Sequence, residues 1–376
     1  MAERVLVAPD KFKGSLPAAE VAARLAAGLS RAGVGADVVS LLPVADGGDG
    51  TVDAAVSAGY RRFEMGVRGA VGRPVTAAFA LLDGTAVIEA AQACGLSLLA
   101  PDSLAPLTAT TKGVGELILA ATRMGAKQVM LGLGGVATTD GGAGLVQALG
   151  ARFTDTAGLE LPPGGAALAR LATLHLERLR DLSGVEFLVA SDVDNPLLGP
   201  SGAARVYAPQ KGASPEDVEL LEAGLERWAD IAEAACGQIA RDVPGAGAAG
   251  GLGFAALLFL GARMRPGIEL LLEMLSFGQR LDGARLVITG EGSLDAQSLH
   301  GKAPVGVARA AAGHDPAVPV VAVAGVCTLS AAQLREAGIA AAYALTDIEP
   351  DVSRCIANAG PLVERLAERI ADDWLR

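Results

Sequence analysis

The chain has 376 residues, more than the roughly 250–300 at which a single hydrophobic core stops growing, so two domains are expected. Hydrophobic residues make up 51% of the sequence and aromatic residues only 3%, which predicts α/β layers with a core of Ala, Val and Leu. The formal net charge of −11 argues against a nucleic acid-binding protein, because such proteins need a basic surface.

The first ten residues lack the apolar core of a signal peptide. The longest apolar stretches fall short of the roughly 20 residues that a membrane span needs. The four cysteines do not have the spacing of a metal site, and three histidines are too few for a histidine-based metal centre. We therefore expect a soluble cytoplasmic protein with reduced thiols.

The first sixty residues predict two strand–helix units. Arg4–Ala8 is a short apolar run typical of a buried parallel strand, and Pro17–Ser30 has the apolar stripe of an amphipathic helix. Ala36–Leu42 is predicted as a second strand, and Gly50–Ser57 as a second helix. This order favours a doubly wound parallel sheet of the flavodoxin or Rossmann kind.

The pattern changes after Tyr60. Three strands are predicted at Arg61–Val67, Val75–Leu82 and Thr85–Ala90, with Asp83-Gly84 as the turn of an antiparallel hairpin. Further α/β units follow to about residue 280, with a strand at Glu186–Ala190 and helices at 113–123 and 215–236. The middle of the chain therefore predicts a second α/β domain with a mixed sheet.

The last hundred residues again show the alternation of apolar strands and amphipathic helices seen in the first sixty. Strands are predicted at Arg285–Thr289, Val318–Ala324 and Ala341–Leu345, and helices at 305–312, 331–337 and 361–375. We therefore predict a discontinuous first domain, 1–62 plus 281–376, with residues 63–280 inserted as the second domain.

Lysine is rare in this chain, and its placement is informative. Only six of the 31 basic residues are lysines, and four of the six adjoin a glycine. Lys13, Lys112 and Lys302 lie where helices are predicted to begin, a place where a cation opposes the helix dipole by about 0.3–1 kcal/mol. The placement becomes favourable when an anion lies between the ammonium and the free N–H groups of the helix. The set therefore predicts anion binding.

Three acidic or basic loops follow predicted strands, at the sheet edge where ligands of α/β proteins bind. Asp10–Ser15 contains Lys11 and Lys13 and is a candidate phosphate or carboxylate site. Asp46–Thr51 places two acids among three glycines, which suits Mg²⁺ ligation, although Asp49 could instead cap the following helix. Gly290–Asp295, followed by Gly301-Lys302, combines an acidic glycine loop with a lysine at a helix start.

A longer glycine-rich run, Gly132–Gly144, follows the predicted strand Gln128–Leu131. Its first six residues match a dinucleotide-binding fingerprint, with Asp155 at a suitable distance, so a nicotinamide-dependent oxidoreductase is an alternative. His175 and Lys112 are the nearby acid/base candidates for that reaction. The hydroxyls, the acid and the additional glycines of the run exceed what a pyrophosphate turn requires.

Two more segments carry candidate groups. Ser191–Pro196 follows the strand Glu186–Ala190 and holds two acids, which suit metal ligation or a base with its orienting partner. Gln210–Ala213, with Lys211, closes the following loop. A second glycine run, Gly245–Gly250, follows Pro244 rather than a strand and therefore does not fit the dinucleotide pattern.

Taken together, these segments resemble the type I family of bacterial glycerate kinases over essentially the whole chain. Val136 and Thr139 depart from the Ser and Asn that the family more often has there, so neither is assigned an essential hydrogen bond. The resemblance is carried by Asp10–Ser15, Asp46–Thr51, Gly132–Gly142, Ser191–Leu197, Pro209–Ala213, Ala248–Gly253 and Gly290–Pro304.

The resemblance implies ATP- and Mg²⁺-dependent phosphorylation of D-glycerate, with 2-phospho-D-glycerate as the expected product. It also implies a flavodoxin-like discontinuous domain and a second α/β domain, with the active site in the cleft between them. Formation of 3-phosphoglycerate, or phosphorylation of a related hydroxy acid, is an alternative within this class. A non-catalytic domain that senses phosphorylated or carboxylated metabolites is a further alternative, against which the acidic charge counts. A monomer or a homodimer is expected.

The roles expected of individual residues follow from this resemblance. Asp192 is expected to act with Mg²⁺ or as the base for the attacking hydroxyl, and Lys11, Lys13 and Lys302 to neutralise the phosphoryl group and the glycerate carboxylate. Substrate contacts are expected from Asp46, Asp49, Asp295 and Lys211. Metal ligation is expected from Asp192, Asp194 and Glu291. Nucleotide contacts are expected from Gly134, Gly135, Thr138, Asp140, Gly141, Gly142, Gly250 and Gly251.

Overall fold

The computed structural model describes residues 4–376, which divide into two compact units. Unit 1 contains the chain up to Asp46, Asp53–Gly59 and Pro266–Arg376. Unit 2 contains Gly47–Val52 and Tyr60–Arg265. These ranges differ from the predicted domains in three places: residues 47–52 and 60–62 group with the inserted segment, and residues 266–280 group with the C-terminal part.

Regular elements occur throughout the described residues. The strands are β1 Arg4–Pro9, β2 Val39–Leu41, β3 Arg61–Arg68, β4 Pro74–Leu82, β5 Thr85–Glu89, β6 Gln128–Gly132, β7 Arg152–Thr154, β8 Thr173–His175, β9 Glu186–Ala190, β10 Arg263–Arg265, β11 Ala284–Leu294, β12 Val320–Cys327 and β13 Ala341–Ala344. The α-helices are α1 Ala18–Arg31, α2 Thr51–Ser57, α3 Ala90–Cys94, α4 Lys112–Arg123, α5 Ala143–Ala148, α6 Ala203–Tyr207, α7 Pro215–Cys236, α8 Ala248–Leu260, α9 Gly267–Met274, α10 Phe277–Leu281, α11 Ala303–Ala312, α12 Ala331–Glu336, α13 Val352–Ala357 and α14 Ala359–Trp374.

Unit 1 is built on a five-stranded sheet with the order β13-β12-β11-β1-β2, in which all strand pairs are parallel. Val5 and Val7 of β1 pack with α1 and α14 in one buried cluster, while Leu6 between them points to the opposite face. Helix α11 contacts β1, β11 and β12. Burial on both faces explains the continuous apolar run of β1.

Unit 2 contains a mixed six-stranded sheet with the order β10-β9-β6-β5-β4-β3. Strands β3, β4 and β5 are antiparallel neighbours, whereas β5, β6, β9 and β10 are parallel. Asp83 and Gly84 connect β4 to β5 with φ values of 45° and 81°, as a two-residue hairpin turn requires. The predicted α/β class, with a parallel sheet and a separate mixed sheet, is therefore confirmed.

One predicted boundary is wrong in a way that concerns the candidate site. The strand predicted to end at Thr289 continues to Leu294, and Leu294 pairs with Cys327 of β12. A side chain at Gly290 would lie 2.5 Å from the carbonyl oxygen of Val323, and one at Gly325 would lie 2.5 Å from that of Gly292. The glycines, which suggested a loop, instead permit the close approach of two strands.

Candidate active site

The loop Asp10–Ser15, here called the lysine loop, leaves β1 at the carboxyl edge of the parallel sheet. Phe12 is 3% exposed and anchors the loop through reciprocal backbone hydrogen bonds with Leu16, at 2.8 and 3.0 Å. Lys13 is exposed and Lys11 is half-buried. The anchored aromatic ring thus holds a loop that presents two ammonium groups at the edge where ligands bind.

Asp10 is a buried carboxyl group, 7% exposed, at the start of this loop. Its Oδ1 accepts a hydrogen bond from the Lys11 N–H at 2.6 Å, and the Lys11 Nζ lies 3.8 Å away. The pKa of Asp10 is raised to about 7, chiefly by burial; Lys11 opposes the rise, and the charges of Asp46 and Glu291 contribute to it. Asp10 can therefore hold or release a proton near neutral pH. A charged residue directly after a buried strand is the signal that could have identified it.

Glu291 lies in the extension of β11 and is 7% exposed. The Ser298 hydroxyl donates a hydrogen bond to Glu291 Oε1. Burial raises the pKa of Glu291, an effect that Ser298 and Lys302 counteract and that the charges of Asp295 and Asp46 reinforce. Glu291 therefore belongs to a group of electrostatically coupled acids in unit 1.

Lys302 and Asp295 complete this group. Lys302 is the residue before the first turn of α11, and its charge acts on both Glu291 and Asp295. Burial would raise the pKa of Asp295, but hydrogen bonds from Gln297 N at 2.8 Å and Ser293 Oγ at 3.1 Å, together with Lys302, lower it. The carboxylate of Asp295 is thus favoured over its protonated form.

Gly292 allows the lysine loop and β11 to approach each other. A Cβ atom at Gly292 would lie 3.1 Å from the backbone nitrogen of Lys13, and one at Gly290 would lie 3.6 Å from the Phe12 ring. Unit 1 therefore brings together predicted residues from three separate segments: Lys11, Lys13, Asp46, Glu291, Asp295 and Lys302.

In unit 2, two glycine-rich loops are in contact. The first is Gly47–Thr51, and the second is Gly132–Ala137, here called the glycine turn. Added Cβ atoms at Gly132, Gly134 and Gly135 would lie 2.3 Å from Gly47 O, 2.8 Å from Gly48 Cα and 2.9 Å from Asp49 Oδ1, respectively. Gly134, Gly135 and Asp49 are exposed. The predicted nucleotide-binding Gly134 and Gly135 are therefore brought next to the predicted substrate-binding Asp49.

Glu89 supports this contact and was missed by the sequence analysis. It ends β5, is 3% exposed, and its Oε1 accepts a hydrogen bond from the Val52 N–H at 2.5 Å. The Thr51 hydroxyl donates to Gly48 O at 2.7 Å. Glu89 therefore ties the beginning of α2, and the loop before it, to the edge of the mixed sheet. As with Asp10, the available signal was an acid at the end of an apolar strand.

The residues after the glycine turn are buried. Asp140 is 0% exposed and accepts hydrogen bonds from Thr111 N at 2.8 Å, Thr111 Oγ1 at 3.0 Å, Gly142 N at 3.1 Å and Gly144 N at 3.2 Å. Burial raises the pKa of Asp140, and these hydrogen bonds oppose the rise. The Gly141 carbonyl accepts a hydrogen bond from Trp228 Nε1 at 3.0 Å. Residues Thr138–Gly142, here called the buried segment, therefore lie in the interior of unit 2. Nucleotide contacts by Thr138, Asp140, Gly141 and Gly142 stay predictions.

Gly250 and Gly251 pack directly against the buried segment. Both have left-handed φ values, 67° and 89°, and a side chain at Gly250 would lie 2.0 Å from the Thr138 carbonyl oxygen. Gly141 N donates a hydrogen bond to Gly250 O at 3.0 Å. Their geometry gives Gly250 and Gly251 a packing function, and direct nucleotide contact by them stays a prediction.

Lys211 is placed differently from expectation. It is 2% exposed, and its Nζ donates a hydrogen bond to the Thr138 carbonyl oxygen at 2.6 Å. Burial lowers its pKa to about 8, and the nearby Asp140 opposes the fall. This setting argues against the expected direct contact of Lys211 with substrate, because its ammonium is already engaged inside unit 2.

Asp192 and Asp194 lie exposed in the loop that follows β9. Asn195 anchors this loop: its Nδ2 donates to Ser201 O at 2.8 Å, and its Oδ1 accepts a hydrogen bond from the Tyr207 hydroxyl at 2.6 Å. Burial raises the pKa of Tyr207, and the charge of Asp194 reinforces the effect. The loop thus presents two carboxylates to solvent from an anchored base.

The candidate acids of the two units suit Mg²⁺ only in part. Within residues 4–376, no three His, Cys, Asp or Glu side chains form a group that could hold a metal by themselves. Mg²⁺ at phosphoryl-transfer sites commonly uses one or two carboxylates together with substrate phosphates and water. The exposed Asp192 of unit 2 and the coupled Glu291 of unit 1 are each a carboxylate of the kind that meets this smaller requirement.

The dinucleotide alternative fails on the position of its acid. Asp155 follows β7, which pairs with β8 in a separate two-stranded sheet, whereas the parallel neighbours of β6 are β5 and β9. The Asp155 carboxylate accepts hydrogen bonds from Ala157 N at 2.9 Å and Leu159 N at 3.0 Å, so it shapes a turn. A ribose-binding acid would instead end a strand next to β6.

None of the helices within residues 4–376 combines the length and the hydropathy that a membrane span requires.

Comparison with known proteins agrees with this geometry. Residues 5–375 match the model of the glycerate kinase family. The chain is 45% identical to a glycerate kinase of Bacillus subtilis, over 98% of this chain and 97% of that one, and 42% identical to a glycerate 2-kinase of Escherichia coli, over 91% and 90%. A crystal structure of a glycerate kinase 2 from Salmonella typhimurium LT2 superposes with a TM-score of 0.86 at 39% identity, covering 99% of this chain and 98% of that one. The chain therefore belongs to the glycerate kinase family and is a phosphotransferase with a nucleotide substrate.

Proposed function

We propose that this protein transfers the γ-phosphoryl group of ATP to D-glycerate in the presence of Mg²⁺, giving 2-phospho-D-glycerate and ADP. The observation that carries the proposal is the group of lysines and acids in unit 1, where Lys11, Lys13 and Lys302 adjoin Asp46, Glu291 and Asp295. The relatives named glycerate kinase and glycerate 2-kinase support this substrate and this position of phosphorylation.

The lysines suit the anionic groups of this reaction. Glycerate has one carboxylate, and the transferred phosphoryl group carries negative charge on its three outer oxygens. Lys13 is exposed, and Lys11 and Lys302 are half-buried, so their ammonium groups keep part of their hydration in the free enzyme. These ammonium groups can neutralise the charges of the two anions. We assign these three residues to the carboxylate and the phosphoryl group.

The glycine turn suits the polyphosphate of ATP. Gly134 and Gly135 are exposed, and without side chains their backbone can approach a phosphate closely. We assign the adjoining, exposed Asp49 to a hydroxyl of the substrate. We therefore assign nucleotide binding to the glycine turn rather than to the buried segment behind it.

The bond changes need a proton acceptor. The glycerate hydroxyl oxygen forms a bond to the γ-phosphorus, the bond from that phosphorus to the bridging oxygen of ADP breaks, and the hydroxyl proton passes to a carboxylate. We assign this proton to Asp192, because it is exposed on an anchored loop. When bound, Mg²⁺ would neutralise phosphate charge and would be held by the nucleotide with Asp192, Asp194 or Glu291.

The test is ³¹P NMR of the purified protein with ATP, Mg²⁺ and D-glycerate. We expect a monoester signal that grows with ADP and coincides with authentic 2-phosphoglycerate. A signal of 3-phosphoglycerate would correct the position of transfer, and ATP binding without any monoester would reject glycerate as the acceptor.

The Asp192→Asn variant tests the assigned base, with Asp194→Asn on the same loop as its comparison. Loss of a general base costs typically 10²–10⁴-fold in turnover, so we expect Asp192→Asn to lose at least about 100-fold in kcat. Near-normal turnover in Asp192→Asn would remove that assignment.

Use of ATP as the donor fits a cytoplasmic enzyme, and we propose that location. Sedimentation of the purified protein distinguishes the predicted monomer from a homodimer.

A further inference from the structure

Lys211 places an ammonium group in the interior of unit 2. It ends a single 3-10 turn, Pro209–Lys211, and Gly212 follows it with a left-handed φ of 92°. This turn directs the side chain inward, where Lys211 is 2% exposed. Lysine is rarely buried to this extent because its ammonium loses water on burial.

The ammonium binds the backbone of the buried segment. Its Nζ donates to the Thr138 carbonyl oxygen at 2.6 Å, a short hydrogen bond of the charge-assisted kind. The carboxylate of Asp140, two residues further along, acts on the same ammonium electrostatically. Lys211 therefore contacts the buried segment through one hydrogen bond and interacts with it electrostatically through Asp140.

Other groups fix the remainder of this segment. Trp228 Nε1 donates to Gly141 O at 3.0 Å, Gly141 N donates to Gly250 O at 3.0 Å, and Asp140 is bound to Thr111. The hydrogen bond from Lys211 reaches Thr138, the residue immediately after the glycine turn, while Ala137 N at the end of the turn donates to Cys94 O at 2.8 Å. The other end of the turn, Gly132, is fixed by its place in β6.

Burying a lysine is unfavourable in free energy, so stability alone does not account for Lys211. An apolar side chain of similar length would fill the same space without the loss of ammonium hydration, and such replacements are often neutral or stabilising. Departures from this rule occur mainly at functional sites, where geometry matters more than stability. The buried ammonium at Thr138 therefore indicates that its hydrogen bond is needed to hold the backbone in a particular geometry.

We infer that Lys211 is a positioning residue: its ammonium fixes the Thr138 carbonyl and so holds the glycine turn in the orientation that binds the nucleotide phosphates. The inference rests on the proposed function, because it takes the glycine turn as the nucleotide site. Lys211 acts from behind the turn and does not touch the substrate. Its removal should affect the nucleotide more than glycerate.

The test compares Lys211→Met, which keeps length and removes the donor, with Lys211→Gln, which keeps an N–H donor without charge. Lys127→Met is the matched control, because Lys127 is an exposed lysine of the same unit. Circular dichroism and thermal unfolding establish that each variant is folded. Steady-state kinetics then give kcat and the KM for ATP and for D-glycerate, and titration with a non-hydrolysable ATP analogue gives nucleotide affinity independently of turnover.

For Lys211→Met we expect the KM for ATP and the Kd of the analogue to rise on the order of tenfold, with the KM for glycerate within about twofold of the parent. Lys211→Gln should recover part of the nucleotide affinity, and Lys127→Met should match the parent.

Unchanged nucleotide affinity in a folded Lys211→Met, or equal losses for both substrates, would overturn the inference. If Lys211→Met does not fold, Lys211→Gln is judged by the same criteria. If neither variant folds, Lys211 is required for the folding of unit 2 as a whole, and the inference is wrong. A parent enzyme that binds no ATP would instead reject the proposed function.

Discussion

Burial of the Asp10 carboxyl group makes its ionisation unfavourable, so the stability of the folded protein depends on pH. Its pKa is raised by burial from 3.8 to about 7 in the folded protein. Between these values the folded state keeps a proton that the unfolded state has released, so the free energy of unfolding falls as pH rises from about 4 to 7. The loss levels off at about one pH unit above the folded-state pKa. Three pKa units correspond to at most about 4 kcal/mol.

The Asp10→Asn variant tests this assignment. Asparagine keeps an oxygen that can accept the hydrogen bond from Lys11 N and removes the ionisable group. We expect the ligand-free variant to be more stable than the parent at pH 8, by about 1–4 kcal/mol, with the difference vanishing toward pH 4. Urea unfolding at the two pH values measures it. A variant that is equally destabilised at both would show that burial of Asp10 does not disfavour its charge.

Elements whose signals are local could be predicted from the sequence. The bounds of α7, Pro215–Cys236, are those predicted, because Ser214 and Asp217 form a capping box at one end and Gly237 ends the helix in a left-handed conformation. The extension of β11 to Leu294 was missed, since its glycines act through contacts with β12 and Phe12, which are distant in sequence.

The burial of Lys211 was missed for the same reason. Its flanking residues, Gln210 and Gly212, are those of an exposed loop, and only Thr138, more than seventy residues earlier, accounts for its position. The sequence thus predicted which segments meet at the candidate site better than the direction in which each side chain points.

The glycine turn is the element on which nucleotide binding should depend most sharply. Gly135 has a φ of 75°, and a Cβ atom there would lie 2.9 Å from Asp49 Oδ1. Gly135→Ala is therefore expected to raise the KM for ATP on the order of tenfold, because either the turn or Asp49 must move. The left-handed conformation should also cost about 1–2 kcal/mol of stability.

Gly158→Ala separates the two effects. Gly158 lies in the same unit with a φ of 77°, and a Cβ atom there would have no neighbour within 4 Å. It should show the same loss of stability with an unchanged KM for ATP. If both variants raise the KM equally, backbone strain alone accounts for the effect and the glycine turn has no special part in binding.

At the scale of the whole molecule, a net charge of −11 repels anionic substrates, and binding must rely on local groups. With a Debye length of about 8 Å at physiological ionic strength, distant carboxylates are largely screened, while lysines in contact with the substrate are not. Three of the six lysines belong to the unit 1 group, which concentrates positive charge where the proposal needs it.

The assignment of the nucleotide to the glycine turn and of glycerate to the lysines of unit 1 predicts a pattern of hydrogen exchange along the chain. A non-hydrolysable ATP analogue with Mg²⁺ should slow amide exchange in the glycine turn and in residues 47–51, because bound phosphate engages and shields backbone N–H groups there. D-glycerate should slow exchange in the lysine loop and around Lys302. The turn Asp155–Leu159, already hydrogen-bonded to Asp155, should be unaffected by either ligand and serves as the internal reference. Protection of 155–159 by the nucleotide would revive the dinucleotide interpretation of Gly132–Ala137. Protection of the lysine loop by the nucleotide alone would restrict its lysines to the phosphoryl group and remove their assignment to the glycerate carboxylate.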